Sequence, residues 1–518
     1  MVAILSKTHK RILLPDIEQT RVIFPHAKKL TLPTGPMLVL PHDSENTRVA
    51  RNFGFDILSP AEAYYGFSGG KPYAAQADTV GLLTMHERAF VLNGMGTGKT
   101  RCALWAYDYL RERKESRRLL VVAPLSTLQR TWAREVFMAT PHLTAVTVHG
   151  SKSQRLKALA TDADIYIINH DGIATVYEAL VARTDIDTIV LDELAVYRNA
   201  STSRWRLMSK LLAKKTRVWG MTGSPTPNEP TDAWAQAKLV APGNVNITRT
   251  AFRDSVMLKV SAFKYVPKQD AAARAHRLMQ PAVRYTLDDV VELPDVMFTN
   301  IDVPLGPKQQ QVYDAMRAKC FVQFQQGEVN AVNSAVMTSK LLQIAMGWVY
   351  TTDRGVVGLD NDARIEALID RIESTDRKVI VFAPFIHALE GLQAALKKAG
   401  HDFPVVSGDV SKNQRDQIFT QFQAASNMRG IVAHPQCMAH GLTLTEASTI
   451  AWFGPFPSLE IFDQANARIT RIGQKHKQQI LMFGGTKVEN MLYARLREKQ
   501  RVQSVLLDLF ADQTQGKK

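Results

Sequence analysis

Short apolar runs, each bounded by turn residues and followed by a longer stretch of helical spacing, recur through most of this chain. One series occupies the first half: 90–94 (FVLNG), 118–124 (RLLVVAP), 165–169 (IYIIN), 187–193 (DTIVLDE) and 216–223 (TRVWGMTG). A second follows after a gap: 378–384 (KVIVFAP), 403–408 (FPVVSG), 430–435 (GIVAHP), 448–454 (STIAWFG) and 479–485 (QILMFGG). A continuous apolar run between turn residues reads as a strand buried on both faces, and its alternation with helices reads as a parallel sheet covered on both sides. Two series therefore predict two α/β lobes. The stretch between them, roughly 240–375, lacks that rhythm and reads as mostly helical, as in 307–326 (PKQQQVYDAMRAKCFVQFQQ) and 331–346 (AVNSAVMTSKLLQIAM). The first seventy residues differ again. Their short proline-ended segments (RILLP, RVIFP, LTLP, MLVLP) predict a small β-rich appendage, and GFSGGKP at 66–72 reads as a linker. The expected division is an accessory domain over 1–70, a first lobe over 71–295 and a second over 296–518, each lobe with a helical insertion.

The sharpest chemical signal is FVLNGMGTGKTRCAL, starting at Phe90. An apolar strand enters a glycine-rich turn, Gly96-Thr97-Gly98, and Lys99 and Thr100 then open a helix. Glycines let backbone N–H groups approach phosphate oxygens, and the helix N-terminus adds positive potential. Lysine reaches the β- and γ-phosphates, and threonine binds Mg²⁺. The strict phosphate-loop spacing asks for glycine at 93, where Asn93 stands; a glycine-rich turn that binds nothing is the bland alternative. Further on, 188–195 (TIVLDELA) sets Asp192 and Glu193 at the end of an apolar strand. Asp192 there can hold Mg²⁺ and Glu193 can polarise an attacking water, although solvated acidic pairs are common. Near the C-terminus, 464–474 (QANARITRIGQ) carries Arg468 and Arg471 three residues apart, expected on one side of a helix. Each can donate a planar fork to γ-phosphate oxygens, or serve as an ordinary surface arginine.

Composition bears on the partner. The 518 residues are 45% hydrophobic and carry a formal charge of +15. Such a balance favours a polyanion, because neutralising phosphates releases counterions, and charge alone is equally compatible with a basic protein that binds none. Cys102, Cys320 and Cys437 lie too far apart for a disulfide framework and suit a reducing compartment. With no secretory leader pattern and no apolar run of membrane-spanning length, the expectation is a soluble intracellular protein without membrane contact, in the cytoplasm or a host's cytoplasm.

These residues, in this order, resemble the Swi/Snf-like branch of superfamily 2 helicases and translocases, from Lys71 to Leu507. KPYAAQ at 71–76 resembles the Q motif, which implies that Gln76 reads adenine. NGMGTGKT resembles motif I, and VVAPLSTLQRTWAREV resembles motif Ia with its Trp132-x-x-Glu135 spacing. IINHDGI stands where motif Ib is expected, and LDELAVYRNASTSRWR resembles motif II. MTGSPTPNEPTDAW resembles motif III, implying that Thr222 and Ser224 couple nucleotide state to DNA. VRYTLDDVVELPD resembles the segment joining the lobes, and VFAPFIHALEGL motif IV. AHGLTLTEAS resembles motif V, placing Gly441 at the nucleotide, and QANARITRIGQ motif VI, placing Gln464 in coupling. The resemblance implies two RecA-like lobes with ATP and Mg²⁺ bound between them: Lys99, Thr100, Asp192 and Glu193 come from the first, Arg468 and Arg471 from the second.

Two motifs depart from the branch. The tetrad Asp-Glu-Ala-His reads Asp192-Glu193-Leu194-Ala195, so the histidine link to motif III is missing, and Ala467 replaces the aspartate before the first arginine. Neither handles phosphate, so ATPase activity is expected to survive while its coupling to movement is in question. His434, Cys437 and His440 have tempting spacing, but zinc wants a second pair of ligands nearby. The aromatics of AWFGPF, from Ala451, read as core, and ARLREKQR, from Ala494, as a solvated helix face. The expected activity is translocation on double-stranded or branched DNA. Strand separation on DNA or RNA, and an ATP-gated clamp without motor action, are the alternatives, and the compact architecture suits a bacterial or viral protein.

Overall fold

A computed structural model describes residues 3–497 except 34, 227–228, 262–263, 292, 326–330, 351–354, 425–426 and 439–442. The chain divides into two compact units, one running to Val291 and one starting at Glu292.

At the start of the first unit, β1 (Ile4–Ser6), β2 (Arg11–Pro15), β3 (Lys28–Leu32) and β4 (Gly35–Pro41) form an antiparallel sheet in the order β1-β2-β4-β3. Ile12, Leu14 and Leu40 cluster with Phe24, Ala50, Phe55 and Ile57 in a small core of their own. RVIFP does not form the expected strand, because its first residues close the helix Glu18–Ile23. Thr20 Oγ1 accepts from the Ile17 amide at 3.1 Å and Arg21 Nε donates to Asp16 Oδ1 at 2.5 Å, so local bonds satisfy a helix start. GFSGGKP is packed rather than a free linker. The Trp105 indole donates to the Ser68 carbonyl at 2.8 Å, and the Phe67 ring stands edge-on to Trp105. Gly69, at φ +75°, passes so close to Met138 that a Cβ would lie 2.1 Å from its carbonyl oxygen.

The main sheet of this unit takes β5 (Arg88–Val91), β6 (Arg118–Ala123), β7 (Ala145–Val148), β8 (Ile165–Asn169), β9 (Ile186–Asp192) and β10 (Arg217–Met221). After a hairpin of β11 (Met257–Ser261) and β12 (Lys264–Pro267), β13 (Ala282–Val283) returns to it, giving the parallel order β13-β5-β10-β9-β6-β8-β7. Side chains alternate between faces as the pleat requires. Phe90, Leu120, Tyr166, Ile189 and Val218 enter one core, and Val91, Val121, Ile167, Val190 and Trp219 the other.

The second unit repeats the plan. Its strands are β14 (Val296–Asp302), β15 (Trp348–Tyr350) and β16 (Val356–Gly358), then β17 (Lys378–Phe382), β18 (Val405–Val406), β19 (Gly430–Ala433), β20 (Ala447–Trp452) and β21 (Gln478–Gly484). Six of them form a parallel sheet, β14-β21-β20-β17-β19-β18, while β15 and β16 pair as a hairpin. Helices Pro307–Gln325 and Ala331–Met346 occupy the expected helical insertion. Trp452 and Phe453 are core residues. The architecture is thus two RecA-like parallel-sheet lobes with insertions and a small β-rich appendage. The region 240–375 is less helical than its sequence suggested: two hairpins and the strands β13 and β14 lie in it. Among the described residues no helix is long and apolar enough to cross a membrane.

An ion pair buried on both sides ties the helix 487–497 to the helix Asp362–Glu373. Arg364, on helix Asp362–Glu373, donates to Glu489 through Nη1 at 2.7 Å and Nη2 at 3.1 Å. Glu489 also caps the helix 487–497 by accepting from the Thr486 amide at 3.1 Å, a Thr-x-x-Glu capping box. Removing one partner strands the other charge in the interior. Glu489→Ala is therefore expected to lower the unfolding free energy in urea by about 3–5 kcal/mol. The double replacement Arg364→Met/Glu489→Leu should recover most of it; a single variant as stable as the parent would contradict this.

Candidate nucleotide site

The glycine-rich loop springs from the end of β5, and its conformation depends on glycine at two places. Gly96 and Gly98 have φ of +78° and +86°, a region open to glycine at no steric cost. Gly98 is the residue before the helix Lys99–Glu112, and a Cβ there would lie 2.4 Å from Gln76 Nε2. Gln76 is buried and spans two elements: Oε1 accepts from the Tyr73 amide at 3.2 Å, and Nε2 donates to the Thr97 carbonyl at 3.0 Å. Thr97 Oγ1 donates to the Gly94 carbonyl at 2.9 Å, closing the loop on itself. Lys99 Nζ donates to the carbonyls of Asn93 and Gly94, each at 2.9 Å, which holds the ammonium over the loop. Thr100 is half-buried in the helix's first turn.

Asn93, the departure from the strict pattern, has a job of its own. Its Nδ2 donates to Thr79 Oγ1 at 3.0 Å and its Oδ1 accepts from the Tyr285 amide at 2.9 Å. The side chain thereby bolts the loop's entry to the helix Ala74–Met85 and to the segment after β13. Tyr285 extends the tie by donating to Asp78 Oδ2 at 2.9 Å. A glycine would leave these groups to find other partners. The sequence marks Asn93 only as a departure from the glycine pattern; its bonds to Thr79 and Tyr285 span 14 and 192 residues and leave no local signal.

Asp192 closes β9. Its Oδ2 accepts from the Trp132 indole at 2.8 Å and its Oδ1 from the Glu193 amide at 3.1 Å. Burial raises this carboxyl above the ordinary aspartate range, against the pull of Trp132 and the Lys99 charge. Glu193 has φ +55° and ψ +55°, an uncommon conformation for a residue with a side chain and one found at functional sites. Thr222 Oγ1 donates to Glu193 Oε1 at 3.4 Å and accepts from the Ser224 amide at 3.2 Å. The strand ends of β9 and β10 are therefore joined without a histidine. Leu194 supplies apolar contact, its Cδ2 lying 2.7 Å from where a Cβ on Gly220 would stand. Ala195 is buried beside it in the chain.

In the second unit the helix Leu459–Asn466 ends before either arginine, so Arg468 and Arg471 do not share a helix face as expected. They sit on a turn. The Leu444 amide donates to the Arg468 carbonyl at 2.9 Å, and Gln474 Nε2 donates to the Ala447 and Ile469 carbonyls at 2.9 and 3.1 Å. These bonds pull the chain back towards β20, and Gly473 at φ +100° completes the reversal. Arg468 is buried; Arg471 Nη1 donates to Thr443 Oγ1 at 3.0 Å, and burial draws its guanidinium down to about 10. Gln464 is buried on the helix, donating to Glu460 at 3.3 Å. Gly441 lies outside the described residues, as do His440 and the end of the ARLREKQR segment. His434 Nε2 is 3.1 Å from the Pro384 carbonyl oxygen, and burial raises the Cys437 thiol above its ordinary range against the pull of the Arg415 charge.

A family model described as SNF2-related domain matches residues 80–347, more than half of the chain, and one described as helicase conserved C-terminal domain matches 363–473. A putative protein p41 of Acyrthosiphon pisum secondary endosymbiont phage 1 is 28% identical over 451 residues, 82% of this chain and 95% of that protein. An uncharacterized ATP-dependent helicase of Mycoplasma genitalium is 22% identical over 423 residues, 80% of this chain but only 40% of the longer relative. The Sulfolobus solfataricus SWI2/SNF2 ATPase core, solved in complex with dsDNA, is 21% identical, with 88% of this chain and 97% of that one covered and a TM-score of 0.40.

Asn93→Ala should lower the unfolding free energy by about 1–3 kcal/mol, the cost of leaving buried partners unpaired. Asn93→Gly, which restores the strict glycine pattern, should be destabilised as well. Urea unfolding followed by tryptophan fluorescence measures both, and a glycine variant as stable as the parent would show that the two bonds contribute nothing.

Proposed function

We propose that this chain, which belongs to the SNF2-related family, is a DNA-dependent ATPase that moves on or remodels double-stranded or branched DNA. The observation that carries the reading is the arrangement at the strand ends of the first unit. A lysine held over the glycine loop after β5 stands in one sheet with a carboxylate fixed by an indole and a strained glutamate, both at the end of β9, and Thr222 at the end of β10 between them bonds to that glutamate. ATP is the substrate, with its β- and γ-phosphates in the loop from Gly94 to Thr100 and its adenine towards Gln76. The Thr100 hydroxyl and the Asp192 carboxylate are hard oxygen donors that suit Mg²⁺, which takes one or two carboxylates together with substrate phosphates. Held by these two residues, Mg²⁺ would supply charge neutralisation at the phosphoryl group. Glu193 orients the attacking water. Phosphoryl transfer calls for positioning and electrostatic stabilisation, and Arg468 and Arg471 of the second lobe supply the remaining positive charge at the γ-phosphate.

The bond between Thr222 and Glu193 supports motor coupling over a passive clamp, because it joins the hydrolytic carboxylate directly to the segment assigned to DNA coupling, Thr222 and Ser224. Gln464 and Gly441 take the corresponding places in the second lobe by resemblance. A net charge of +15 supports a nucleic-acid partner.

ATPase rates measured without nucleic acid and with single-stranded DNA, duplex DNA, a branched junction and RNA test the reading. Stimulation should be strongest with duplex or branched DNA, and equal stimulation by RNA would favour an RNA helicase instead. Triplex displacement separates a moving protein from a clamp. Lys99→Ala should abolish nucleotide binding or turnover, while Glu193→Gln should retain ATP and DNA and fail to hydrolyse. Arg471→Ala should keep ATP affinity within a modest factor and lose DNA-stimulated turnover steeply, since a charge of this kind contributes about 10³–10⁵ in rate in related systems. Arg471→Lys should rescue poorly, because an ammonium lacks the planar fork. A normally folded Arg471→Ala protein with intact stimulation would defeat the two-lobe mechanism.

A further inference from the structure

Trp132 is fully buried in an apolar cluster with Leu128, Val136 and Ala139, yet its indole N–H is spent on Asp192. Packing alone asks only for a large apolar ring at this place; the N–H is a separate feature that serves the carboxylate. Each oxygen of Asp192 accepts one hydrogen bond, from Trp132 or from the Glu193 amide, and each keeps a lone pair for a cation or its water. The backbone carrying Trp132 is also unusual. Residues Leu128–Ala133 form a π-helical turn, a rare widening that rotates the residues beyond it and is frequent at functional sites. That turn is pinned on both sides. Gln129 Nε2 donates to Thr147 Oγ1 at 3.0 Å, and Glu135 pairs with Arg101 on the helix that Lys99 and Thr100 open.

We infer that Trp132 is a positioning residue for the metal ligand: its N–H sets the orientation in which Asp192 meets Mg²⁺ and ties that carboxylate to the segment 125–135. The inference rests on the ATPase reading above. It makes the metal site sensitive to any displacement of the π-helical turn, whose flanks expose Leu125, Ser126 and Arg134. Groups that orient a metal's ligands typically cost 10–100-fold in metal affinity or activity when removed.

The test uses the full chain and reads Mg²⁺ binding apart from turnover. A fluorescent ADP analogue is bound in chelator and Mg²⁺ is titrated in; the Mg²⁺ dependence of ATPase is measured alongside. Trp132→Phe keeps a buried ring and lacks the donor. It should raise half-saturating Mg²⁺ about 10-fold in both titrations, leaving analogue binding in chelator unchanged. Replacing Trp132 with β-(3-benzothienyl)alanine, which keeps the bicyclic shape without an N–H, should give the same shift even if the phenylalanine variant folds poorly. Val136→Ala loosens the same cluster and should lower the melting temperature without moving the Mg²⁺ dependence. The inference is overturned if the benzothienyl protein needs no more Mg²⁺ than the parent, or if Val136→Ala shifts the requirement equally. A parent protein with no Mg²⁺-dependent nucleotide binding defeats the ATPase reading itself, and this inference with it.

Discussion

A carboxylate at the end of a buried strand must be solvated by the protein, and much of the first unit is arranged around that requirement. Asp192 leaves a strand walled by apolar residues on both faces, where an unpaired charge is expensive. Trp132 and the Glu193 amide supply hydrogen bonds, and the Lys99 charge acts in the same direction. Meeting the first demand takes a π-helical turn, and the residue that provides the second sits in the left-handed region. Both are local distortions that a rigid surround sustains.

The departures from the expected motifs are explained by the same surround. Asn93 stands where the strict loop has glycine, and it joins β5 to a helix and to a returning segment that a glycine could not reach. Leu194 and Ala195 replace the pair that ends with a histidine. Leu194 fills the space left by Gly220, and the polar link passes to Thr222 and Glu193. Each change exchanges one tie for another, so the strand ends stay connected although the side chains differ.

In the second unit, order at the arginine turn comes from backbone bonding. Gln474 donates to two carbonyls and accepts from the Lys475 and His476 amides, so one side chain shapes a loop without helical structure. Arg471 lies on that turn and donates to Thr443 Oγ1. The bidentate Arg364–Glu489 pair does comparable work at the helix 487–497.

Strands β5, β6, β8, β9 and β10, and their counterparts β17 to β21, were legible in the sequence as short apolar runs between turn residues, as a strand covered on both faces must be. The glycine loop, Lys99, Asp192 and Glu193 were legible because that chemistry needs residue types at short, fixed spacing. Edges were not. Strand β14 is half-exposed along its length and β13 has two residues, so neither leaves a run to read. Arg468 and Arg471 have helical spacing, but long-range bonds to Leu444 and Ala447 end the helix before them. Trp132, Thr222 and Tyr285 could be named or passed over in the chain, yet their partners lie 60, 29 and 192 residues away. Local pattern sets which segments become strands and helices; which side chains then meet is decided only when the sheet brings its strand ends together.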